Sequence, residues 1–269
     1  MKLDTVVFSI IIVSLNAQNT IMKTIDSVLI QEFRDFEIVV KDGCSTDNTL
    51  AYIPYSNKIK LVKQIDDGIY DAMNQAVKYA SGRYLLFLNC GDVFASKKVL
   101  QNVYNLSVLN KDYVIYGDYI RNEVLFRQPR KLSKKYLYRT PLCHQTMFFP
   151  RSFFNAVGLF DIDLQICADY DLTLKAFVKG CDYRHVDIII CDYLGGGVSE
   201  ILKNNERKNN EINKIRREYF SRKDLLIYSL YMSLSLFYIR KILISDSSPK
   251  IIRNIYRFII NTVNTYIKI

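Results

Sequence analysis

The chain has 269 residues, of which 49% are apolar, so it is long enough to bury the core of one large domain. Its six cysteines form no Cys-x-x-Cys pair and only two histidines are present, which argues against a zinc site or a disulfide framework and indicates free thiols in a reducing compartment. The net charge of +10 is uneven, because residues 201–269 carry 14 Lys and Arg against 5 Asp and Glu, whereas residues 1–200 carry 23 against 22. Any partner implied by the charge is therefore expected to bind the C-terminal tail.

The first hundred residues alternate between strand and helix signals. The segment VVFSIIIVSLN, residues 6–16, is a continuous apolar run, as expected for a strand buried on both faces. A signal peptide is the alternative, but Asp4 lies where basic residues would be needed and no small-residue cleavage site follows. A helix is predicted next, with Asn19 as its N-cap and one apolar face made of Ile21, Ile25, Val28 and Leu29.

Two further strand–helix pairs and a fourth strand follow. The strands are predicted at FEIVVKDG (36–43), KIKLVKQ (58–64) and RYLLFLN (83–89). Ser45 can cap a short helix that ends near Pro54, and GIYDAMNQAVKYASG predicts a longer helix that stops at Ser81 and Gly82. This alternation predicts an α/β fold with a parallel sheet covered by helices and joined by right-handed crossovers.

Polar residues collect at the C-terminal ends of these strands. The clusters are Ser14 with Asn16, Asp42 with Gly43, Asn89 with Asp92, and Asp66 with Asp67 just beyond the third strand. Open α/β sheets bind their ligands in the crevice outside those strand ends. The sequence therefore predicts a single site at this edge of the sheet.

Residues 95–200 have a more mixed pattern. Strands are predicted at DYVIYGDYI and VLFRQP, and PLCHQTMFFPRSFFNAVGLFD predicts a strand followed by a helix. CADYDLTLKAFVKG predicts an amphipathic helix, and YRHVDIIICDYLGGGVS a strand that leads into three glycines, 195–197. Those glycines suit a mobile flap over a ligand, and a plain flexible loop fits them equally well.

The tail, residues 201–269, is predicted to be helical and basic. Residues 201–223 are highly charged, and residues 225–239 carry no charge but fall short of the roughly 20 residues that span a bilayer. An apolar stripe follows at Ile251, Ile255, Phe258, Ile259 and Val263, flanked by Arg253, Arg257 and Lys268. This pattern favours an anionic membrane surface as the partner. Packing on the domain or on a second subunit is the alternative, and nucleic acid is disfavoured because no nucleic-acid motif is present.

The chemistry of the sheet edge depends on its carboxylates. Asp42, Asp67 and Asp92 would repel one another without a cation or hydrogen-bond donors. The sequence has neither a P-loop nor a Gly-x-Gly-x-x-Gly motif to hold a diphosphate, so a divalent cation at Asp92 could hold it instead. The alternative for Asp92 is a structural role in a turn. Asp169 and Asp171 lie near a helix start, where they act either as acids favoured by the helix dipole or as a general base.

Four segments in series carry a family resemblance. They are SIIIVSLNA, DSVLIQEFRDFEIVVKDGCSTDNTL, DDGIYDAMNQAVKYASGRYLLFLNCGDVF and HQTMFFPRSFFNAVGLFDIDLQICADYDLTLKA. Together they resemble family 2 glycosyltransferases of the GT-A fold, in particular bacterial enzymes that build cell-surface polysaccharides. The resemblance covers about residues 6–200. It implies a Rossmann-like α/β domain at 1–200, with a mixed, mainly parallel sheet flanked by helices, followed by the membrane-associating tail 201–269.

The resemblance also implies roles for single residues. Asp42 matches the aspartate that contacts the nucleotide base, Ser14 and Asn16 line the nucleotide pocket, and Asp67 and Asn74 line the sugar donor. Asn89 to Asp92 stand at the Asp-x-Asp motif, with Asn89 as a residue that binds the nucleotide sugar and Asp92 as the ligand of Mn²⁺ or Mg²⁺. Asp169 matches the catalytic base, and His144, Gln145 and Asp171 lie near the donor or the acceptor.

Four positions depart from the family pattern. The Asp-x-Asp motif has Asn89 and Gly91 where the family has acids, so the metal site depends on Asp92. The glutamate of the Glu-Asp motif is Ala168, and Met73 replaces an arginine that many members carry.

The function implied is that of an inverting hexosyltransferase, a metal-dependent enzyme of surface polysaccharide synthesis. The donor would be a nucleotide diphospho-sugar, with UDP favoured, and the acceptor a lipid-linked or glycan hydroxyl. The protein would be cytoplasmic and peripheral on the inner face of the cell membrane. Two alternatives stay open: a sugar nucleotidyltransferase, although VSLNAQN lacks the basic glycine-rich loop this would need, and a non-catalytic membrane scaffold with a decayed site.

Overall fold

The computed structural model describes residues 6–106, 111–195 and 205–235. The chain divides into two compact units, of which the first comprises residues 1–132 and 142–211 and the second comprises residues 133–141 and 212–269. The predicted strands, and with them the predicted site, belong to the first unit.

Four parallel strands form the first half of the sheet. They are β1 (Phe8–Ser14), β2 (Phe36–Asp42), β3 (Ile59–Lys63) and β4 (Tyr84–Phe87), in the order β3-β2-β1-β4. All seven residues of β1 are buried, which is why its sequence is apolar without alternation. Helices α1 (Ile21–Leu29) and α2 (Ile69–Val77) and a 3₁₀ helix (Asn48–Tyr52) connect the strands. The four predicted strands are confirmed.

The second half of the sheet is mixed. Its described strands are β5 (Val93–Phe94), β6 (Val114–Arg121), β7 (Val124–Phe126), β8 (Met147–Pro150) and β9 (Tyr183–Tyr193). The sheet continues β4-β8-β6-β9-β5, with β7 paired to β6; β8 is antiparallel to β4 and β6, whereas β6 and β9 are parallel. The predicted mixed α/β fold is confirmed, with the uniformly parallel pairing confined to β1–β4.

The remaining helices of the described residues lie between these strands or after them. They are α3 (Val99–Tyr104), α4 (Lys134–Arg139), α5 (Arg151–Val157), α6 (Ala168–Val178), α7 (Asn205–Tyr219) and α8 (Arg222–Ser235), with a 3₁₀ helix at His144–Thr146. The predicted helices within 141–161 and 167–180 correspond to α5 and α6. The sequence pattern did not predict β5, α3 or α4, because each is only two to six residues long.

Three predicted helix ends were placed wrongly. Helix α1 starts after Thr20 rather than after Asn19. The 3₁₀ helix is capped by Asp47, whose carboxylate accepts the Thr49 N–H at 2.9 Å, because Ser45 is engaged by Asp42 instead. Helix α2 ends at Val77, before Gly82. A Cβ at Gly82 would lie 2.6 Å from the Ser9 backbone nitrogen, so this glycine serves the close approach to β1.

The described part of the second unit contains α4, the later residues of α7, and α8. Tyr138 packs edge-on against Phe220 at 5.4 Å, and the Arg216 guanidinium lies 4.2 Å above the Tyr138 ring. Ser221 and Asp224 bond reciprocally at the start of α8, which breaks the predicted charged helix into two. Across the described ranges, no helix is both long and apolar enough to cross a membrane. The predicted amphipathic stripe, 251–268, lies outside the described residues.

Candidate active site

A buried carboxylate joins the ends of β1 and β2. Ser14 and Asp42 are register partners at the ends of these strands. Asp42 is fully buried; it accepts the Ser14 hydroxyl at 3.0 Å and, from Ser45, the backbone N–H at 2.8 Å and the hydroxyl at 2.6 Å. Both carboxylate oxygens are thus satisfied, as a buried charge requires. This closed network fixes the turn after β2.

Asn16 ties the turn after β1 to the same segment. Its backbone has a positive φ of 50°, a conformation that asparagine tolerates better than most residues. The Asn16 N–H donates to the Ser45 hydroxyl at 2.8 Å, and its side-chain oxygen accepts the Thr46 N–H at 2.9 Å. The structure therefore brings Ser14, Asn16 and Asp42 together, as predicted from their strand-end positions.

The turn after β4 carries Asn89 and Asp92. The Asp92 N–H donates to the Asn89 carbonyl at 3.0 Å, and between them Gly91 has a φ of 102°. A Cβ at Gly91 would lie 2.6 Å from the Leu194 Cδ2 atom. Backbone conformation and packing thus explain why glycine stands where the family carries an acid.

Asp92 is enclosed by protein donors. It is 4% exposed; Gln145 Nε2 donates to one of its oxygens and the Leu194 N–H to the other, both at 3.0 Å. Burial raises the pKa of this carboxyl, against the opposing effect of those two donors. The predicted metal ligand therefore already has one hydrogen bond on each oxygen.

Asp92 and Asn89 can hold a divalent cation only if a bound substrate supplies further oxygen ligands. Asn89 Oδ1 is buried without a hydrogen-bond partner, so it is an unused oxygen ligand in the same turn as Asp92. Within the described residues no group of three His, Cys, Asp or Glu could form a metal cage. Mg²⁺ needs no such cage, because one or two protein oxygens and substrate phosphates hold it. Asp92 and Asn89 fit this mode of binding.

His144 links Asn89 to Asp169. Since β8 is antiparallel to β4, the 3₁₀ helix that precedes β8 lies at the end of β4. His144 Nε2 lies 3.2 Å from Asn89 Nδ2, and His144 Nδ1 lies 2.9 Å from Asp169 Oδ2. An amide nitrogen can only donate, so Nε2 accepts and Nδ1 carries the proton that it donates to Asp169. This chain fixes the orientation of the carboxylate.

The other oxygen of Asp169 contacts Tyr70 and a backbone N–H. Tyr170 N donates to Asp169 Oδ1 at 2.8 Å, and the Tyr70 hydroxyl lies 3.3 Å from that oxygen while it donates to the Ile166 carbonyl at 2.7 Å. Burial, reinforced by the Asp169 charge, raises the pKa of Tyr70 well above its ordinary value. The sequence analysis had not assigned a role to Tyr70.

A pocket of about 280 Å³ opens on the Tyr70 side. Its lining residues come from the start of α2 and the segment before α6: Asp67, Gly68, Ile69, Tyr70, Asp71, Ile162, Leu164 and Gln165. Asp67 is exposed there. Since Tyr70 both lines the pocket and approaches Asp169, the pocket and the carboxylate share one wall.

Two of the predicted site residues, and two of the residues that depart from the family pattern, are buried. The Asn74 amide is used by Phe160, whose carbonyl accepts at 2.9 Å and whose N–H donates at 3.0 Å, so Asn74 holds the chain rather than presenting a free amide. Asp171 is buried in the first turn of α6. Met73 and Ala168 are fully buried, so the arginine and the glutamate of the family pattern would have no access to solvent at these positions.

Cys90 bonds the turn after β4 to strand β1. Its thiol donates to the Val13 carbonyl at 3.3 Å. Burial, followed by the negative charges of Asp92 and Asp42, raises the pKa of this thiol to about 12. The turn after β4 therefore contacts β1 through Cys90, and through Asn89 it contacts His144, whose ring bonds to Asp169.

Comparisons with known proteins concern the family and the fold of the chain. The family profile described as "Glycosyl transferase family 2" matches residues 9–166. A PGL/p-HBAD biosynthesis glycosyltransferase of Mycobacterium tuberculosis is 30% identical over 208 residues, which cover 74% of this chain and 81% of the relative. An uncharacterised glycosyltransferase of Rickettsia prowazekii is 30% identical over 197 residues, which cover 68% of this chain and 62% of that protein.

Solved structures share the fold at lower identity. TarS 1–349 of S. aureus in complex with UDP-GlcNAc superposes with a TM-score of 0.61 at 20% identity, over 96% of this chain and 71% of that one. The mannosyltransferase PcManGT of Pyrobaculum calidifontis, in complex with GDP-Man and Mn²⁺, gives 0.55 at 16% identity over 96% and 73%. The family profile over residues 9–166 and the 30% identical relatives lead to one conclusion: the chain belongs to glycosyl transferase family 2.

Proposed function

We propose that this glycosyltransferase moves a sugar, with inversion at the anomeric carbon, from a nucleotide diphospho-sugar to a hydroxyl of a lipid-linked or glycan acceptor. The observation that carries the proposal is the Asp169 carboxylate, which His144 orients at 2.9 Å while it stays 22% exposed beside a pocket. A general base needs this combination of fixed direction and access.

The nucleotide lies at the ends of β1 and β2 in this proposal. Ser14, Asn16 and Asp42 shape the two turns that face it, and Asp42 is held in place by its own three hydrogen bonds. A UDP-sugar is the favoured donor, since TarS was solved with UDP-GlcNAc and shares the fold; GDP-Man in PcManGT keeps a GDP-sugar as the second candidate.

A divalent cation would be held by Asp92 and Asn89 together with the donor diphosphate. Bound there, Mn²⁺ or Mg²⁺ would offset the negative charge of the leaving diphosphate. Asn89 contributes its unpartnered Oδ1 atom, and Gln145 and Leu194 hold the Asp92 carboxylate in position.

Asp169 takes the proton of the acceptor hydroxyl. The acceptor oxygen then attacks the anomeric carbon from the face opposite the diphosphate, and the carbon–oxygen bond to the diphosphate breaks. His144 Nδ1–H and Tyr170 N–H each donate to one Asp169 oxygen, which keeps the carboxylate directed toward the acceptor. A direct displacement of this kind requires no covalent nucleophile. Gln145 contacts the sugar-donor side of the site because it donates to Asp92. Asp67 lines the pocket beside the general base, Asp169.

A lipid-linked acceptor would lie in a membrane, so we place the protein at the inner face of the cell membrane. The tail is basic, with 14 Lys and Arg against 5 Asp and Glu in residues 201–269, and an anionic lipid surface would attract it. Vesicle sedimentation tests this: the full chain should pellet with vesicles that contain anionic lipid and stay in solution with neutral ones. Equal sedimentation with both, or with neither, would contradict the membrane proposal and favour packing of the tail on the domain or in a homodimer.

An assay with a panel of nucleotide sugars tests the enzymatic proposal. The purified chain should hydrolyse or transfer from one donor, faster with Mn²⁺ than with chelator, and NMR of the product should show an inverted anomeric configuration. Nucleotide binding without turnover of any donor would favour the non-catalytic scaffold. Formation of a nucleotide sugar from a sugar phosphate and a nucleoside triphosphate would favour the nucleotidyltransferase.

A further inference from the structure

The segment that precedes α6 is held by a carboxylate from another helix. Glu211, on α7, is 9% exposed and belongs to the first unit. One of its oxygens accepts the Gln165 N–H at 3.0 Å, and the other accepts the Ile166 and Cys167 N–H groups at 3.0 and 2.9 Å. Three consecutive backbone donors thus converge on one side chain.

These contacts lie immediately before the proposed base. Cys167 is the N-cap residue of α6, and Asp169 is the second residue of that helix. The N–H groups of residues 165–167 all precede the first helical residue, Ala168, so they have no partner within the helix, and the carboxylate satisfies them with strong, charge-assisted bonds. Glu211 therefore fixes the backbone two residues away from Asp169.

The same segment also holds Tyr70. The Ile166 carbonyl accepts the Tyr70 hydroxyl at 2.7 Å, while the Ile166 N–H donates to Glu211. The peptide groups around Ile166 are thus held from both sides, by α7 and by α2. Displacement of this segment would move Asp169, on the helix that follows it, relative to both Tyr70 and His144.

We propose that Glu211 is a positioning residue for the transfer reaction: through the N–H groups of residues 165–167, it sets the Asp169 carboxylate against His144. The proposal rests on the function proposed above, in which Asp169 is the base. Glu211 lies outside the matched family segment, 9–166, and sequence pattern alone placed it in a charged helical stretch without a role.

Steady-state kinetics of Glu211→Gln test the proposal. The amide keeps the size of the side chain, but its N–H₂ group faces backbone N–H groups and cannot accept their hydrogen bonds. We therefore expect kcat to fall about tenfold while the KM for the nucleotide sugar stays unchanged. Glu211→Asp keeps the charge on a shorter stem and should give an intermediate kcat. Glu206→Gln, at an exposed position on the same helix, is the matched control and should match wild type. A Glu211→Gln variant with wild-type kcat would overturn the proposal.

A second readout separates positioning from general stability and does not need turnover. Nitrogen-15 NMR of labelled histidine reports two rings, His144 beside Asp169 and His185 beside Asp118 at 3.0 Å. In Glu211→Gln, and more weakly in Glu211→Asp, the His144 signals should shift while those of His185 stay fixed. Unshifted His144 signals, or equal shifts of both rings, would overturn the proposal. If the wild type transferred from no donor, the proposed function would fail, and the His144 signals would still decide whether Glu211 positions Asp169.

Discussion

The site proposed above has one half for the nucleotide and one half for the reaction, and the two halves differ in how completely they satisfy their own polar groups. On the nucleotide side, Ser14 and Ser45 saturate a fully buried Asp42. On the reaction side, the chain from Asn89 through His144 ends at a partly exposed Asp169, and Asn89 Oδ1 has no partner. The first network can shape a binding surface before any ligand arrives, whereas the second keeps capacity for a ligand.

This difference has a physical consequence for substitutions. Loss of a member from a saturated buried network leaves unsatisfied donors, at a cost of about 1–3 kcal/mol each, and so affects binding and stability together. Loss of a member from the open chain should affect the reaction more than binding. The predictions below test that separation, from the largest expected effect to the smallest.

The largest effect is expected for Asp169→Asn. The amide cannot take a proton from the acceptor, so kcat should fall by about 10² to 10⁴, the range typical of general base catalysis. Transfer from the active donor measures this. Asp182→Asn, at an exposed position just before β9, is the control and should keep full activity. Full activity in Asp169→Asn would show that another group is the base.

A smaller, pH-dependent effect is expected at Asp92. Burial raises the pKa of this carboxyl, so it takes up a proton at a higher pH than an ordinary aspartate. Because the folded-state pKa is the higher one, protonation favours the fold: the contribution of Asp92 to stability is complete below the unfolded pKa and is lost as the pH rises through the folded pKa. Acidification should therefore weaken cation-supported nucleotide binding without destabilising this turn.

Titrations of UDP with and without Mn²⁺, from neutral pH down to about pH 4.5, measure the effect of Asp92. The Mn²⁺-dependent part of the affinity should decline as the pH falls, and in Asp92→Asn it should be absent at every pH. An equal decline without Mn²⁺ would contradict a role for Asp92 in cation binding.

The smallest effect is expected for Tyr70→Phe. The ring keeps its packing, but the Ile166 carbonyl loses its donor and Asp169 loses a contact. One hydrogen bond contributes about 1 kcal/mol, which corresponds to a roughly fivefold lower kcat. Tyr52→Phe, at an exposed tyrosine, should leave kcat unchanged. A loss as large as that of Asp169→Asn would instead make Tyr70 part of the proton transfer.

Sequence pattern predicted that Ser14, Asn16 and Asp42 would lie together, and the structure confirms that placement. Ser14, Asn16 and Asp42 directly follow long apolar strands, and in a parallel sheet such positions must meet at one edge. His144 and Asp169 were assigned to the site only through the family resemblance, because they are 25 residues apart in a mixed region and the antiparallel β8 is what places His144 beside Asn89.

Other features could not be predicted from local pattern. Glu211 lies in a charged helical stretch that reads as a solvated face, and only tertiary packing directs its carboxylate to the start of α6. Asn74 was assigned to the donor, whereas its amide is used by the Phe160 backbone; a single polar residue on a buried helix face does not show which partner it has.

The most direct test of the account is calorimetric titration of UDP, in the presence of Mn²⁺, against the wild type, Asp42→Ala and Asp169→Asn. If one half of the sheet edge binds the nucleotide and the other half carries out the reaction, Asp169→Asn should bind with wild-type affinity, whereas Asp42→Ala should bind at least about tenfold more weakly. Equal loss of affinity in both variants, or wild-type affinity in Asp42→Ala, would contradict the division of the site into a binding half and a reaction half.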